Sequence, residues 1–242
     1  MNPQIPKAAA IILDFIGATE VGTAGRKGYD TIYNHQQHRL RKPITSMTIL
    51  EVQQGQIDQW DRMVKSSATG RYQFMYKTLG GLIEDFKLDI HQKFEPDIQD
   101  SLGFILMKRR GYAKWVSHKI SDVTFALGLA KEWASFPVLQ PVKGAHRALA
   151  RGQSYYEGDR LNKSLITPEQ VEAMLKRARA CLVRGANETP NVAPPPTTEP
   201  TTPLRPPEGP PLRIVKSPSP TIGLIISFIV GVAAFGAYLY FK

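Results

Sequence analysis

The sequence predicts a mainly helical domain over residues 1–186, a proline-rich linker over residues 187–220 and one transmembrane helix over residues 221–242. Three observations lead to this prediction. Apolar residues recur at helical spacing through most of the first 186 residues. Residues 187–220 contain twelve of the nineteen prolines and no aromatic residue. Residues 222–241 form an uncharged run long enough to cross a bilayer as a helix.

The first predicted helix spans residues 8–19, where Ile12, Phe15, Ile16 and Thr19 share one face. Glycines at positions 22, 25 and 28 then interrupt the helical pattern. A small β-hairpin is expected between residues 29 and 44. The predicted fold class is therefore mainly α with one small hairpin.

Helix-start signals recur along the rest of the domain. Each is a capping side chain or a proline in the first turn, and at Thr48 and Thr167 an acidic or amide residue follows three positions later. These signals lie at Thr48 with Glu51, at Pro96, at Ser121 or Asp122, and at Thr167 with Pro168 and Gln170.

The linker and the tail predict a tethered protein. A proline-rich chain of 34 residues in polyproline II form reaches on the order of 100 Å. In the predicted membrane helix Gly223, Ser227 and Gly231 recur at every fourth position, a spacing that permits self-association of the tail. Small residues are also tolerated in any apolar helix, so this spacing has two interpretations.

The charge of the domain indicates a class of partner. Residues 1–186 carry 27 Lys and Arg against 18 Asp and Glu, a surplus of nine positive charges. Such a surplus favours nucleic acid, anionic lipid or an acidic cell-wall polymer. The basic residues are scattered rather than interleaved with aromatic residues, which argues against nucleic acid. Cys181 is the sole cysteine, and no metal-ligand or phosphate-loop pattern is present, so no disulfide, metal or cofactor is expected.

Glu20 is the candidate catalytic residue. It stands at the end of the first predicted helix, where the last carbonyl groups disfavour a nearby anion. The apolar side chains of Ile16 and Val21 flank it. Both effects raise the pKa of a carboxyl, as a general acid near neutral pH requires. The alternative is a solvated glutamate without a chemical role.

Five ordered motifs over residues 10–180 resemble the phage-lambda-type lysozymes, endolysins that act as lytic transglycosylases. They are Thr19-Glu20 with Gly28-Tyr29-Asp30, Arg41-Lys42-Pro43-Ile44-Thr45, Gly70-Arg71-Tyr72-Gln73, Gln99-Asp100, and Trp133-Ala134-Ser135-Phe136-Pro137. The resemblance implies a lysozyme-like α+β domain. The proline-rich linker and the hydrophobic tail depart from the soluble lambda-type enzyme.

The resemblance also implies a reaction. Glu20 would protonate the glycosidic oxygen between N-acetylmuramic acid and N-acetylglucosamine in peptidoglycan, and would then accept the proton of the C6 hydroxyl. A 1,6-anhydro product forms without water, so one carboxylate is enough. Asp30 is the candidate second carboxylate of a hydrolytic muramidase, or else a loop residue that bonds nearby backbone. Predicted substrate-binding residues are Tyr29, Asp30, Arg71, Tyr72, Gln73, Tyr155 and Tyr156.

Other functions and locations remain open at this point. A non-catalytic, membrane-anchored virion protein on a lysozyme-like scaffold is one alternative to an enzyme. The basic residues Arg205, Arg213 and Lys216 precede the predicted membrane helix and Lys242 follows it, which favours a cytoplasmic domain. We therefore expect a single-pass protein with a C-terminal anchor, either in the host inner membrane until lysis or associated with the virion during entry.

Overall fold

The computed structural model describes residues 1–23, 25–60, 66–158 and 162–187. Over these ranges the chain forms seven α-helices, several short helical turns and one two-stranded sheet. The predicted class, mainly helical with a small β element, is confirmed.

Helices make up most of the domain. The α-helices are α1 (Lys7–Val21), α2 (Ile49–Gly55), α3 (Tyr76–Phe86), α4 (Pro96–Arg109), α5 (Tyr112–Val116), α6 (Asp122–Glu132) and α7 (Pro168–Asn187). Short 3-10 helices span Arg26–Asp30, Tyr33–Arg39 and Ile44–Ser46, and a π-helical turn, Gln56–Trp60, continues α2. Strands β1 (Val142–Lys143) and β2 (Ala148–Leu149) pair antiparallel, with Val142 opposite Leu149.

The predicted helix starts are confirmed at the level of individual hydrogen bonds. Thr48 and Glu51 form a capping box at the start of α2. The Ser121 hydroxyl accepts the Thr124 amide at the start of α6, so Ser121 rather than Asp122 is the cap. Reciprocal bonds of the same kind join Thr167 and Gln170 ahead of α7. These side chains satisfy amides that the first helical turn leaves without partners.

The predicted position of the hairpin is wrong. Residues 29–44 contain 3-10 helices instead of strands, and the sheet lies at residues 142–149. Ile32 instead forms an isolated antiparallel bridge with Thr69. The Tyr33 amide donates to the Ala68 carbonyl at 3.0 Å, and the Gly70 amide donates to the Thr31 carbonyl at 2.7 Å, so the backbone at the start of this segment pairs with residues 68–70 rather than with residues near 44.

The tail was predicted to cross a membrane. None of the helices in the described ranges is long and apolar enough to span a bilayer. The predicted membrane helix, residues 221–242, and the linker from residue 188 onward lie outside the described ranges.

Helix α1 lies in the core and makes its most extensive contacts with α7. Its buried side chains are mostly aliphatic, and so are those that α7 presents to the core. Burying such side chains is the main favourable contribution to folding. The buried residues of the two helices are Ala8, Ala9, Ile12, Leu13 and Ile16 in α1, and Val171, Met174, Leu175 and Ala178 in α7.

Arg71 holds α1 from the side. Its guanidinium forms an ion pair with Asp14 of α1 at 2.8 Å and donates to the carbonyl of Gly25 at 3.3 Å. Only 4% of Arg71 is exposed. The side chain runs across Gly17, where a Cβ would lie 2.7 Å from the Arg71 Cγ. Arg71 therefore joins α1 to the loop that follows it, and Gly17 makes room for this contact.

A second buried network centres on Asp100 in α4, which is fully buried. Its Oδ1 accepts the hydroxyls of Tyr29 at 2.8 Å and Tyr72 at 2.7 Å, and its Oδ2 accepts the amide of Asn2 at 2.6 Å. Next to it, Gln99 accepts the Arg71 amide and donates to the Tyr29 carbonyl. A buried carboxylate is tolerated when several donors surround it, and this one fixes three distant segments on α4.

The Gly17→Ala substitution tests the contact between Arg71 and α1. Alanine favours a helix over glycine by about 1 kcal/mol, but the added methyl must displace the buried Arg71 side chain. We expect the free energy of unfolding to fall by about 1–3 kcal/mol, measured by urea denaturation of the full-length protein in mild detergent.

Gly81→Ala in α3 is the matched control, because no atom lies within 4 Å of a Cβ at that position. This control should leave stability unchanged or raise it by up to about 1 kcal/mol. Equal stabilisation by both substitutions would contradict the proposed packing of Arg71 on Gly17.

Candidate active site

Glu20 lies in the last turn of α1, which ends at Val21. The next residue, Gly22, has a φ of 62°, a left-handed conformation that glycine adopts without a steric penalty and that commonly ends helices. Ile16 and Val21, the apolar neighbours of Glu20 in sequence, are both buried. The Glu20 side chain itself is partly buried.

The hydroxyl of Ser135 donates a hydrogen bond to the Oε1 atom of Glu20. Burial raises the pKa of Glu20 to about 7, and the Ser135 hydrogen bond opposes this shift by stabilising the carboxylate. The helix-end position of Glu20 and its apolar neighbours predicted that its pKa would be raised. Burial is the dominant cause of this rise in pKa. A carboxyl with this pKa is present in both protonation states near neutral pH, so it can donate a proton and later accept one.

The segment Trp133–Pro137 holds Ser135 in place. The Ser135 carbonyl accepts the Leu165 amide at 2.9 Å. The indole of Trp133 donates to the Tyr72 carbonyl at 3.3 Å, and the ring of Phe136 packs edge-on against Phe15 of α1 at 5.9 Å. These contacts bring a segment 115 residues away in sequence against the end of α1.

Tyr155 and Tyr156 belong to a loop that is fastened to the same segment. Ser154, directly before them, donates to the Ala134 carbonyl at 2.7 Å. The Tyr156 hydroxyl donates to the Lys131 carbonyl at 2.7 Å, and the Lys131 ammonium lies 5.2 Å from the centre of the Tyr155 ring. Both tyrosines are partly exposed. The structure thus brings the loop of the predicted cleft tyrosines next to the residues that flank Ser135.

Three other predicted substrate-binding residues are occupied by internal contacts. Tyr29 and Tyr72 are buried and donate their hydroxyls to Asp100, and burial raises the pKa of each phenol. Arg71 is paired with Asp14, and its guanidinium carbon lies 4.9 Å from the centre of the Tyr29 ring. These contacts favour a supporting role for all three residues.

Gln73 and Asp30 lie in different settings. Gln73 is partly exposed, has a φ of 49° and donates its side-chain amide to the Gly70 carbonyl at 2.8 Å. Asp30 is also partly exposed, and its Oδ1 accepts the Thr45 amide at 2.9 Å. The Asp30 carboxylate therefore accepts a hydrogen bond from the backbone of a neighbouring loop, which is the structural role that its own loop position suggested.

Sequence reasoning missed the role of Ser135. The motif Trp133–Pro137 was recognised as a match to the family pattern, but no function was assigned to its hydroxyl. A small hydroxyl residue between two aromatic residues in a helix-ending segment was the available signal. Its partner, Glu20, can be identified only once the fold brings the two together.

The burial of Glu20 predicts a pH-dependent cost in stability. Between pH 4.5 and about 7 the unfolded chain loses the Glu20 proton while the folded protein retains it, so the stability of the wild type falls as the pH rises. Glu20→Gln removes this effect. At pH 8 we expect the variant to be more stable than the wild type by at most about 3 kcal/mol, and at pH 4 the two should match.

The measurement is urea denaturation of both proteins at the two pH values. Glu84→Gln, an exposed position on α3, is the control and should differ from the wild type by less than about 0.5 kcal/mol at either pH. A Glu20→Gln stability difference that does not change with pH would contradict a buried, protonated Glu20.

Comparison with known proteins adds the family. The family model of endolysins matches residues 10–158, which include Glu20, Ser135, Tyr155 and Tyr156. No curated protein and no solved structure matches the chain. Because the match covers more than half of the sequence, the chain belongs to the endolysin family, the phage enzymes that degrade peptidoglycan.

Proposed function

We propose that this endolysin is a lytic transglycosylase, which cleaves the β-1,4 bond between N-acetylmuramic acid and N-acetylglucosamine. Glu20 acts first as the general acid and then as the general base. The observation that carries the proposal is the environment of Glu20. Its carboxyl is partly buried, has a pKa of about 7 and is oriented by the Ser135 hydroxyl.

Protonated Glu20 donates its proton to the glycosidic oxygen as the bond from that oxygen to C1 of the muramic acid ring breaks. Positive charge develops on this ring, and the carboxylate that remains is close enough to stabilise it. The same carboxylate then removes the proton from the C6 hydroxyl, and O6 attacks C1 to close a 1,6-anhydro ring. The proton returns to Glu20, so no water is consumed and the enzyme is regenerated.

The surroundings of the other carboxylates support a mechanism with one carboxylate. A hydrolytic muramidase needs a second carboxylate as nucleophile or base. Asp30 accepts the Thr45 amide, Asp14 is paired with Arg71, and Asp100 is fully buried with three donors. We assign structural roles to these three groups, and Glu20, with its raised pKa, serves as both acid and base.

The proposed glycan-binding residues divide into two groups. Gln73, Tyr155 and Tyr156 are partly exposed, so we assign them to the cleft, where an amide can bind an N-acetyl group and a tyrosine ring can contact a sugar face. We assign Asp30 to its edge. We assign Tyr29, Arg71 and Tyr72 to support of the cleft, through Asp100 and Asp14.

We further propose that residues 221–242 anchor the enzyme in a membrane, with residues 187–220 as an extended tether. The composition of the two segments supports this arrangement. The enzyme would then act from the host inner membrane at lysis or from the virion at entry, and tail helices would be able to associate through Gly223, Ser227 and Gly231.

The Glu20→Gln variant tests the catalytic assignment. Glutamine keeps the shape of the side chain but cannot donate a full proton, so we expect cleavage of purified peptidoglycan by the full-length protein to fall by about 10²–10⁴-fold. Muropeptides released by the wild type should be lighter by one water than hydrolysed ones. Asp30→Asn should lower kcat far less than Glu20→Gln. Products of hydrolysed mass, together with an equal loss in Asp30→Asn, would establish the muramidase instead.

The pH dependence tests the contact with Ser135. Because kcat/KM requires protonated Glu20, it should decline as the pH rises through about 7. In Ser135→Ala the carboxylate loses a hydrogen bond, so the pKa of Glu20 rises and the decline moves to higher pH. The same variant should have a lower kcat, because the carboxyl is less well oriented. Ser117→Ala, at an exposed position after α5, is the control, and identical pH profiles for all three proteins would rule out the role of Ser135.

A further inference from the structure

A concave site lies on the domain, and Glu20 is not among the residues that line it. This groove has a volume of about 410 Å³ and lies between residues 40–42 on one wall and α2 with its π-helical turn on the other. Met47 and Trp60 form part of its base and are both largely buried. The indole of Trp60 packs closely on Gly55, where a Cβ would lie 2.6 Å from the ring. The groove therefore has a rigid apolar base.

The two walls of the groove carry opposite charges. Arg41 and Lys42 are on the first wall, and Glu51 and Asp58 are on the second. Lys42 and Glu51 form an ion pair at 2.8 Å at the rim. Arg41 and Asp58 are exposed, and neither has an ion-pair or hydrogen-bond partner within the ranges that the structure describes. Arg41 and Asp58 thus line the same groove as Met47 and Trp60, and neither charge is paired with another described residue.

This arrangement selects the chemistry of a ligand. A carboxylate pairs with Arg41, an ammonium group pairs with Asp58, and a short aliphatic chain between them covers Met47 and Trp60. A phosphate polymer fits poorly, because it would be repelled by the Glu51 and Asp58 wall. A glycan strand without its peptides has no ammonium group to pair with Asp58 and lacks the carboxylates of the peptide that would pair with Arg41. The groove matches a peptide that carries both an amino group and carboxylates near one end.

The groove is also hydrogen-bonded to the segment that contains Gln73. The Gln56 side chain, in the π-helical turn, donates to the Phe74 carbonyl at 2.9 Å and to the Ser67 carbonyl at 2.7 Å. Phe74 directly follows the proposed cleft residue Gln73, and the carbonyl of Tyr72 accepts the Trp133 indole. One set of buried contacts therefore supports both the wall of the groove and the segment that carries Ser135.

We propose that this groove binds the peptide side chain of peptidoglycan and grips its amino-carboxylate end between Arg41 and Asp58. The inference rests on the proposed function, since it names a second part of the same polymer as the ligand. In this arrangement the groove selects glycan strands that still carry their peptides, and Glu20 cleaves the glycan that they are attached to.

Direct binding tests the proposal without cleavage. The probe is the free tripeptide L-Ala-γ-D-Glu-meso-diaminopimelate, added to the full-length Glu20→Gln protein in mild detergent, with NMR chemical shifts as the readout. We expect shifts at Arg41, Asp58 and the Trp60 indole. In the double variant Arg41→Gln/Asp58→Asn, which keeps the net charge, affinity should fall about fivefold or more.

The matched control is Lys176→Gln/Glu84→Gln, which removes one charge of each sign at exposed positions of α7 and α3 and should bind the tripeptide as the parent does. Equal affinity of the Arg41/Asp58 double variant would overturn the proposal. Equal binding of a tripeptide with its amine acetylated and its carboxylates amidated would overturn it too, and so would full competition by inorganic phosphate.

Cleavage assays separate this proposal from the proposed function. The ratio of kcat/KM on peptide-bearing strands to kcat/KM on strands stripped of peptide should be above one for the wild type. It should fall toward one in the Arg41/Asp58 double variant. Tripeptide binding in a protein that cleaves neither substrate would reject the transglycosylase and leave the peptide site standing. Cleavage of both substrates at equal rates by the wild type would reject the peptide site alone.

Discussion

The position of Glu20 depends on the ion pair between Arg71 and Asp14. Asp14 lies in α1 before Glu20, and the Gly25 carbonyl that Arg71 also reaches lies in the loop after it. One guanidinium therefore fixes the chain on both sides of the acid. Arg71 is almost fully buried, whereas the Asp14 side chain is 57% exposed. Without Asp14 the buried guanidinium would rely on the Gly25 carbonyl and the face of the Tyr29 ring, so losing this pair should destabilise the domain.

The residues that carry the resemblance to lambda-type lysozymes have different duties in the structure. Glu20 and Ser135 form the hydrogen-bonded pair of the candidate site, whereas Arg71, Tyr72, Gln99 and Asp100 form buried contacts around α4. A motif shared by a family therefore includes residues that stabilise the fold as well as residues proposed to take part in the reaction. The burial that raises the pKa of Glu20 also opposes folding above pH 4.5, so the acid is held in place by contacts made elsewhere in the domain.

Sequence patterns predicted the local features of the fold well, because those features depend on residues close together in the chain. The capping boxes at Thr48 and Thr167 and the cap at Ser121 are examples. The hairpin was misplaced because the backbone partner of Ile32 is Thr69, a pairing between distant residues that periodicity does not reveal. Glu20 was predicted as the acid from its position at a helix end together with the resemblance to lambda-type lysozymes. Ser135 was not, because a contact across 115 residues has no local signature.

The packing of the first helix on the last has a consequence for synthesis. Helix α1 buries its apolar face against α7, and the Ser135 carbonyl is held by Leu165 just ahead of α7. A nascent chain on the ribosome lacks these partners until nearly all of residues 1–187 have emerged, and contacts between distant segments form late in folding. Glu20 is not buried until then, so an unfinished copy of the chain lacks the environment that raises the pKa of the proposed acid.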